Sequence, residues 1–261
     1  MSEENRDQTD LKIDVRVVGR MRINPDRHLV FSDANLRGED FSGRKLDQFC
    51  AMGSRFESCR FDRIHAKDAC FGAGRLQSEY VECSFDGARM TLTAGGHARL
   101  VRCSFKEVDL RDWFCFNVEL IDCTFTGQLR GVVFNGKPLP GQRGIVGLRR
   151  NEFRGNDFSG AELIDVAFRT GIDLSQQRLP FGPDYRYISD AENSFQRARA
   201  EAIGWQDLEL RQVVLRWLDS RLEDVKSGQK QMLYRPKDYY GFGGMKREEL
   251  DAYFELLRRY I

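Results

Sequence analysis

The sequence predicts a mainly β solenoid of square cross-section, followed by an α-helical tail. Two observations carry the solenoid. The first is a beat of five: from Phe31 the chain reads Phe31, Leu36, Phe41, Leu46, Ala51, Phe56, Phe61, Ala66, Phe71 and Leu76. All ten are Phe, Leu or Ala in a chain that is 41% apolar. Helices repeat near every 3.6 residues and strands near every 2, so five fits neither. It fits a chain that turns a corner every five residues and points one side chain inward from each side of a square. The second observation is a spacing of 20: Cys83, Cys103 and Cys123 recur at that interval, as do Cys50 and Cys70. Four sides of five residues make a coil of that length, which stacks such residues above one another.

The beat continues beyond its first run. It slips near 76–85, through a register slip or a small insertion, and resumes at Tyr80, Phe85 and Met90. After a gap at Gly95 come Leu100, Phe105, Leu110, Cys115, Leu120 and Phe125, a blur at Arg130, and Phe134. A break over 136–147 (GKPLPGQRGIVG) follows, and the beat returns at Leu148, Phe153, Phe158, Leu163 and Phe168. Two positions before the centre the residue is often small, as at Ala34, Ser54, Cys59, Ala69, Cys83, Ala98, Cys103 and Ala161. A small inward residue beside each corner is the expected role.

The clearest copies are Ala34-Asn35-Leu36-Arg37-Gly38, Cys59-Arg60-Phe61-Asp62-Arg63, Cys103-Ser104-Phe105-Lys106-Glu107 and Ala161-Glu162-Leu163-Ile164-Asp165. They resemble the pentapeptide-repeat family, with its Ala-(Asp/Asn)-Leu-x-x consensus and Phe allowed at the centre. The resemblance covers 29–179 and implies a right-handed quadrilateral β-helix, each coil made of four five-residue faces.

Solenoid ends need caps. In front, Leu11, Ile13, Val15 and Val17 alternate with polar residues, predicting a capping strand within an N-terminal segment 1–28. Behind, Pro180, Gly182 and Pro183 mark a boundary. Over 180–261 the spacing becomes helical, in Phe195/Ala198/Ala202, in Leu208/Leu215/Leu218/Leu222/Val225 and in Leu250/Tyr253/Phe254/Leu257. This tail is expected to cap the last coil, form a homodimer interface or bind a partner.

Chemistry is sparse. Stacked coils would hold the cysteine sulfurs about 5 Å apart, too far for a disulfide and wrong for tetrahedral zinc. Small buried hydrophobes in a ladder are expected instead. His28, His65 and His97 are the three histidines, and none has a metal-site spacing. No Gly-x-Ser-x-Gly elbow occurs, and 241–244 lacks the Gly-Lys-Ser/Thr ending of a phosphate loop. No cofactor, metal or catalytic set is expected. No apolar run is long enough to span a bilayer, and the polar start MSEENRDQTD has no signal core, so a cytoplasmic protein with reduced thiols is expected.

The residues singled out for partner binding are Lys137, Leu139, Arg143, Ile145, Arg149 and Arg150. They lie in or beside the break at 136–147, read as a projecting loop, and binding concentrates in loops on rigid scaffolds. The first functional reading is a non-catalytic protein-interaction scaffold with an unidentified protein partner. The second, implied by the resemblance, is a DNA mimic that modulates or protects type II topoisomerase (DNA gyrase). Mimicry needs a dense negative field. Residues 29–179 instead hold 21 Lys+Arg against 20 Asp+Glu, and the whole chain 41 against 40. That balance disfavours direct nucleic-acid or membrane-surface binding as well. A third reading is an enzyme with a site between solenoid and tail.

Overall fold

The computed structural model describes residues 25–92, 96–147, 149–240 and 246–261. The strand expected over 11–17, the gap at Gly95, the return at Leu148 and the segment 241–244 lie outside the described residues. The first strand, His28–Ser32, pairs in parallel with Lys45–Met52, and parallel pairing persists through seven strands to Asp157–Ile164. A six-stranded parallel sheet from Asn35–Arg37 to Phe153–Arg154 forms another wall. The chain is a four-sided parallel β-solenoid with a helical C-terminal region.

The pentad residues sort onto four inner walls. Side 1 carries Phe31, Ala51 and Phe71, then Cys115, Phe134 and Phe168. Side 2 carries Leu36, Phe56, Tyr80, Leu100, Leu120 and Phe153. Side 3 carries Phe41, Phe61, Phe85, Phe105, Phe125 and Phe158, and side 4 Leu46, Ala66, Met90, Leu110, Leu129 and Leu163. All belong to one hydrophobic core except Leu36, which is partly buried and packs against it. On side 3 the rings stack face to face: Phe61–Phe85, Phe85–Phe105, Phe105–Phe125 and Phe125–Phe158 each have centroids 4.8 Å apart. That distance is the spacing of hydrogen-bonded strands, about 4.8 Å, so one ring occupies each floor.

Strand pairing fixes the coil lengths. Leu36 pairs with Phe56, a plain coil of four pentads, but Phe56 pairs with Tyr80, a coil longer by four. The irregularity near 76–85 is therefore a four-residue insertion. It leaves the wall after Ala73 and carries Leu76 outward, 65% exposed. Leu76 belongs to the beat by spacing and not to the core. Leu110 pairs with Leu129, a coil one residue short, which explains the blur at Arg130. There Gly127 passes so close that a Cβ would lie 2.4 Å from the Val108 carbonyl oxygen. Leu120 pairs with Phe153, so the break at 136–147 lies within one enlarged coil.

The corners have a backbone rule that the sequence conceals. The residue two after the wall centre is left-handed at many corners, including Asp33, Ser58, Glu82, Arg102 and Asp122, with φ of 52–54°. A left-handed residue at this position gives a tight turn. The rule of small residues before the centre holds along side 3 from Cys59 to Cys123 and reverses at two floors of side 1. There Phe49 and Trp113 are fully buried beside small centres, Ala51 and Cys115. Large and small exchange places while the shaft stays filled, as close packing demands.

The tail contains helices α2 (Ala191–Ile203), α3 (Leu208–Lys226) and α4 (Arg247–Arg258), after a short α1 (Arg143–Val146) in the solenoid's break. Asp190 and Asp207 cap α2 and α3 by accepting from the backbone N–H of Asn193 and Leu210. Phe195, Ala198, Val214, Leu218, Leu250, Tyr253 and Leu257 form a second core. Tail side chains satisfy the backbone of the last coil. Tyr185 Oη accepts from Leu163 N at 3.0 Å, and Asp238 Oδ2 from Asp165 N at 2.8 Å. Gln229 Oε1 accepts from Gly171 N and Ile172 N, while its Nε2 donates to Ile172 O. Arg235 reaches back to Glu162. An open sheet edge invites further pairing, and these contacts cover it.

Candidate docking site

The enlarged coil produces a closed excursion from the wall. Asn151 N donates to Gly136 O at 3.0 Å, joining the ends of a loop that spans 137–150. Asn151 also donates through Nδ2 to Asn135 O and Phe116 O, pinning the base to the wall. Gly136 is required there, because a Cβ would lie 2.9 Å from Thr170 O. Pro138 is buried, and α1 follows as a single turn ended by Gly147 in the left-handed region, φ +71°. Gln142 Oε1 accepts from Asn117 Nδ2 at 2.6 Å, so the loop folds back on the wall. Compact loops with close ends are frequent carriers of function.

The six singled-out residues have different fates. Lys137 is half-buried, and its Nζ donates to Ser227 O at the end of α3, tying loop to tail. Leu139 is 37% exposed on the outside of the loop. Arg143 is exposed, with Nε donating weakly to Pro138 O at 3.4 Å. Arg149 and Arg150 are exposed and make no salt bridge with a described residue. Ile145 lies in α1, and its side chain is outside the described residues. The loop 137–150 contains four Lys or Arg and no Asp or Glu.

One pair of residues carries no pentad signal and escapes sequence reading. Phe114, 44% exposed, and Phe116 stack on the outer surface of side 1, their rings 6.1 Å apart. They flank Cys115, the inward residue, and so point outward by strand alternation. Phe116 lends its carbonyl to the loop base through Asn151. An apolar spot thus lies where the basic loop leaves the rod.

The residues suspected of chemistry are engaged otherwise. The thiols of Cys59, Cys83, Cys103 and Cys123 donate to the carbonyls of Leu36, Phe56, Tyr80 and Leu100 at 3.4–3.6 Å. The same column ends in buried Asn156 and Gln177, which hydrogen-bond to each other. Burial pushes the Cys103 and Cys115 thiols well up from their ordinary range. His97 is buried against Arg75 O at 2.9 Å, and burial lowers its pKa. Among the described residues no cluster of three or more His, Cys, Asp or Glu could hold a metal ion. Between solenoid and tail lies a cavity of about 170 Å³ lined in part by Arg221, Arg235, Asp238 and Tyr239. Its Arg235 is committed to Asp238 and Glu162, and no Ser, Cys or His lines it. No described helix is long and apolar enough to cross a membrane.

No protein-family profile matches the chain, and no curated protein matches it. Among solved structures it is similar to a trypsin-treated variant of QnrB1, a plasmid-mediated fluoroquinolone resistance protein. The match has 14% identity over 57% of this chain and 78% of that one, with a TM-score of 0.21.

Proposed function

We propose that this pentapeptide-repeat β-helix protein is a non-catalytic interaction scaffold that docks a protein partner at the 137–150 loop. One observation carries the reading. A basic loop, closed by the Asn151–Gly136 bond and pinned to the wall, sits beside an outward aromatic pair on a rigid rod. Preorganisation of this kind lowers the entropy lost on binding, and aromatic and Arg side chains are the favoured anchors of interfaces. Leu139, Phe114 and Phe116 would supply apolar contact. Arg143, Arg149 and Arg150 would supply charge. The partner's complementary patch would accordingly be acidic around an apolar centre.

Side 2 offers no support to the gyrase reading. Side 2 alternates sign, with Arg37–Glu57, Arg55–Glu79 and Arg99–Glu119 paired rung against rung, so it lacks a continuous negative field. The test is crosslinking in extract of the native cell with the wild type and with Phe114→Ser/Leu139→Ser. A defined partner band lost in the variant, at unchanged Tm, supports the reading. An identical band pattern in both proteins contradicts it. Inhibition or protection of DNA gyrase in a supercoiling assay, retained by the variant, would favour the mimic instead.

A further inference from the structure

A second surface lies on side 4. A groove of about 410 Å³ runs there along the rod, lined by Arg27, Lys45, His65, Lys67, Arg89 and Arg111. Strand register makes this a column: Lys45 pairs with His65, His65 with Arg89, and Arg89 with Asp109. Beside it Thr91 pairs with Arg111 and Arg111 with Arg130, continuing the positive line. Two carboxylates intervene. Asp47 is held by Arg27 at 2.8 Å and Lys67 at 2.9 Å, and Asp109 by Arg111 at 2.7 Å. Six Lys or Arg against these two Asp leave four positive charges on one side, in a chain whose total is +1. Lys45, Arg89 and Arg130 are exposed and form no salt bridge with a described residue. The floor residues Leu46, Ala66 and Met90 are buried in the core.

Resting on the scaffold reading above, we propose that this groove binds an acidic α-helix of a protein partner, laid along the rod axis. Spacing selects the occupant. The walls repeat every 4.8 Å, the distance at which the side 3 rings stack. From Lys45 to Arg130 there are five rungs, a length of about 19 Å at that repeat. A helix returns to the same face about every 5.4 Å, so carboxylates at i, i+3/i+4 and i+7 drift by only about 2–3 Å over the groove. Long Lys and Arg side chains absorb that drift. An extended peptide offers same-face residues about 6.6–6.8 Å apart and loses register within two rungs. Each strand of a DNA duplex offers phosphates about every 3.4 Å of helix axis, also out of step. Non-specific single-strand binding further uses aromatic platforms, and the outward positions of these five rungs hold no Phe, Tyr or Trp.

The test is fluorescence anisotropy at low salt with three labelled probes. They are a four-turn helix-stabilised peptide with Glu on one face, a proline-interrupted peptide of the same charge, and a twelve-nucleotide thymidine strand. The helical peptide is expected to bind at least tenfold more tightly than either control. Lys45→Glu/Arg89→Glu should weaken it at least tenfold, and Lys45→Arg/Arg89→Lys should restore it. Should the reversal lower Tm, Lys45→Gln/Arg89→Gln carries the same test, with an expected loss of at least threefold. Equal or tighter binding of the extended peptide or the oligonucleotide overturns the proposal, as does no binding or indifference to these substitutions. Phe114→Ser/Leu139→Ser should leave helical-peptide binding unchanged. That variant separates failure of the groove from failure of the loop.

Discussion

Replacing Phe105 probes the shaft at its centre. Its ring is fully buried and lies 4.8 Å from Phe85 and Phe125, at interplanar angles of 4° and 8°. Phe71 adds an edge contact at 6.1 Å. Phe105→Ala removes the apolar burial and leaves a cavity the stiff walls cannot close, a loss of about 3–5 kcal/mol. Phe105→Leu keeps most of the volume and removes two stacked contacts, each worth about 0.5–1.5 kcal/mol, so about 1–3 kcal/mol is expected. Phe105→Asp buries a charge without a partner and should abolish folding. Phe41 is the control. It is 6% exposed and stacks on one ring, Phe61, at 5.1 Å, so Phe41→Ala should cost less than Phe105→Ala. The assay is urea denaturation followed by circular dichroism, with ΔΔG taken at constant m. A loss below about 1 kcal/mol for Phe105→Ala, or a folded Phe105→Asp, would refute the inward stack.

Other expectations follow from the caps, thiols and charges. Gln229→Ala strands the buried N–H groups of Gly171 and Ile172 and should cost about 2–4 kcal/mol in denaturation; a neutral result would deny the tail its capping role. Cys50 is half-exposed and the other six cysteines are buried, so one thiol should react with a chromogenic disulfide ahead of the others in native protein and seven together in denaturant. Several thiols reacting together in native protein would mean an open shaft. Arg154, with help from Arg99, holds the Glu152 carboxyl below its ordinary range. A depressed carboxylate stabilises the fold above its unfolded pKa, about 4.3, and that stabilisation is lost as pH falls through the lower folded value. Tm should therefore drop on acidification below about pH 4, less steeply in Glu152→Gln; identical slopes would remove this pair from the acid response.

The walls were legible because a solenoid repeats one contact many times, so Phe61, Phe85, Phe105 and Phe125 announce themselves by spacing alone. Leu76 shows the limit, since spacing cannot tell a tenth beat from the tip of a four-residue insertion. Trp113 and Phe49 show another. Packing constrains the sum of two neighbouring volumes, so a rule about either position fails where they trade. Of the loop, the sequence carried the break and its basic residues. It did not reveal that Asn151 closes the loop or that Lys137 is spent on Ser227, because both depend on residues brought near by folding. Phe114, Phe116 and the side 4 cations occupy outward positions, where no periodic rule acts. Their columns exist only after coils of unequal length are aligned.

The most direct test is a double-mutant cycle on Phe125 and Phe158. The whole 137–150 loop separates them in sequence, yet their rings stack at 4.8 Å and 9°. Phe105 and Phe125, one plain coil apart, stack at 4.8 Å and 8°. Leucine substitutions at each pair should give coupling energies alike and about 1 kcal/mol. Coupling for Phe105–Phe125 with none for Phe125–Phe158 would contradict a shaft that continues unbroken past the loop.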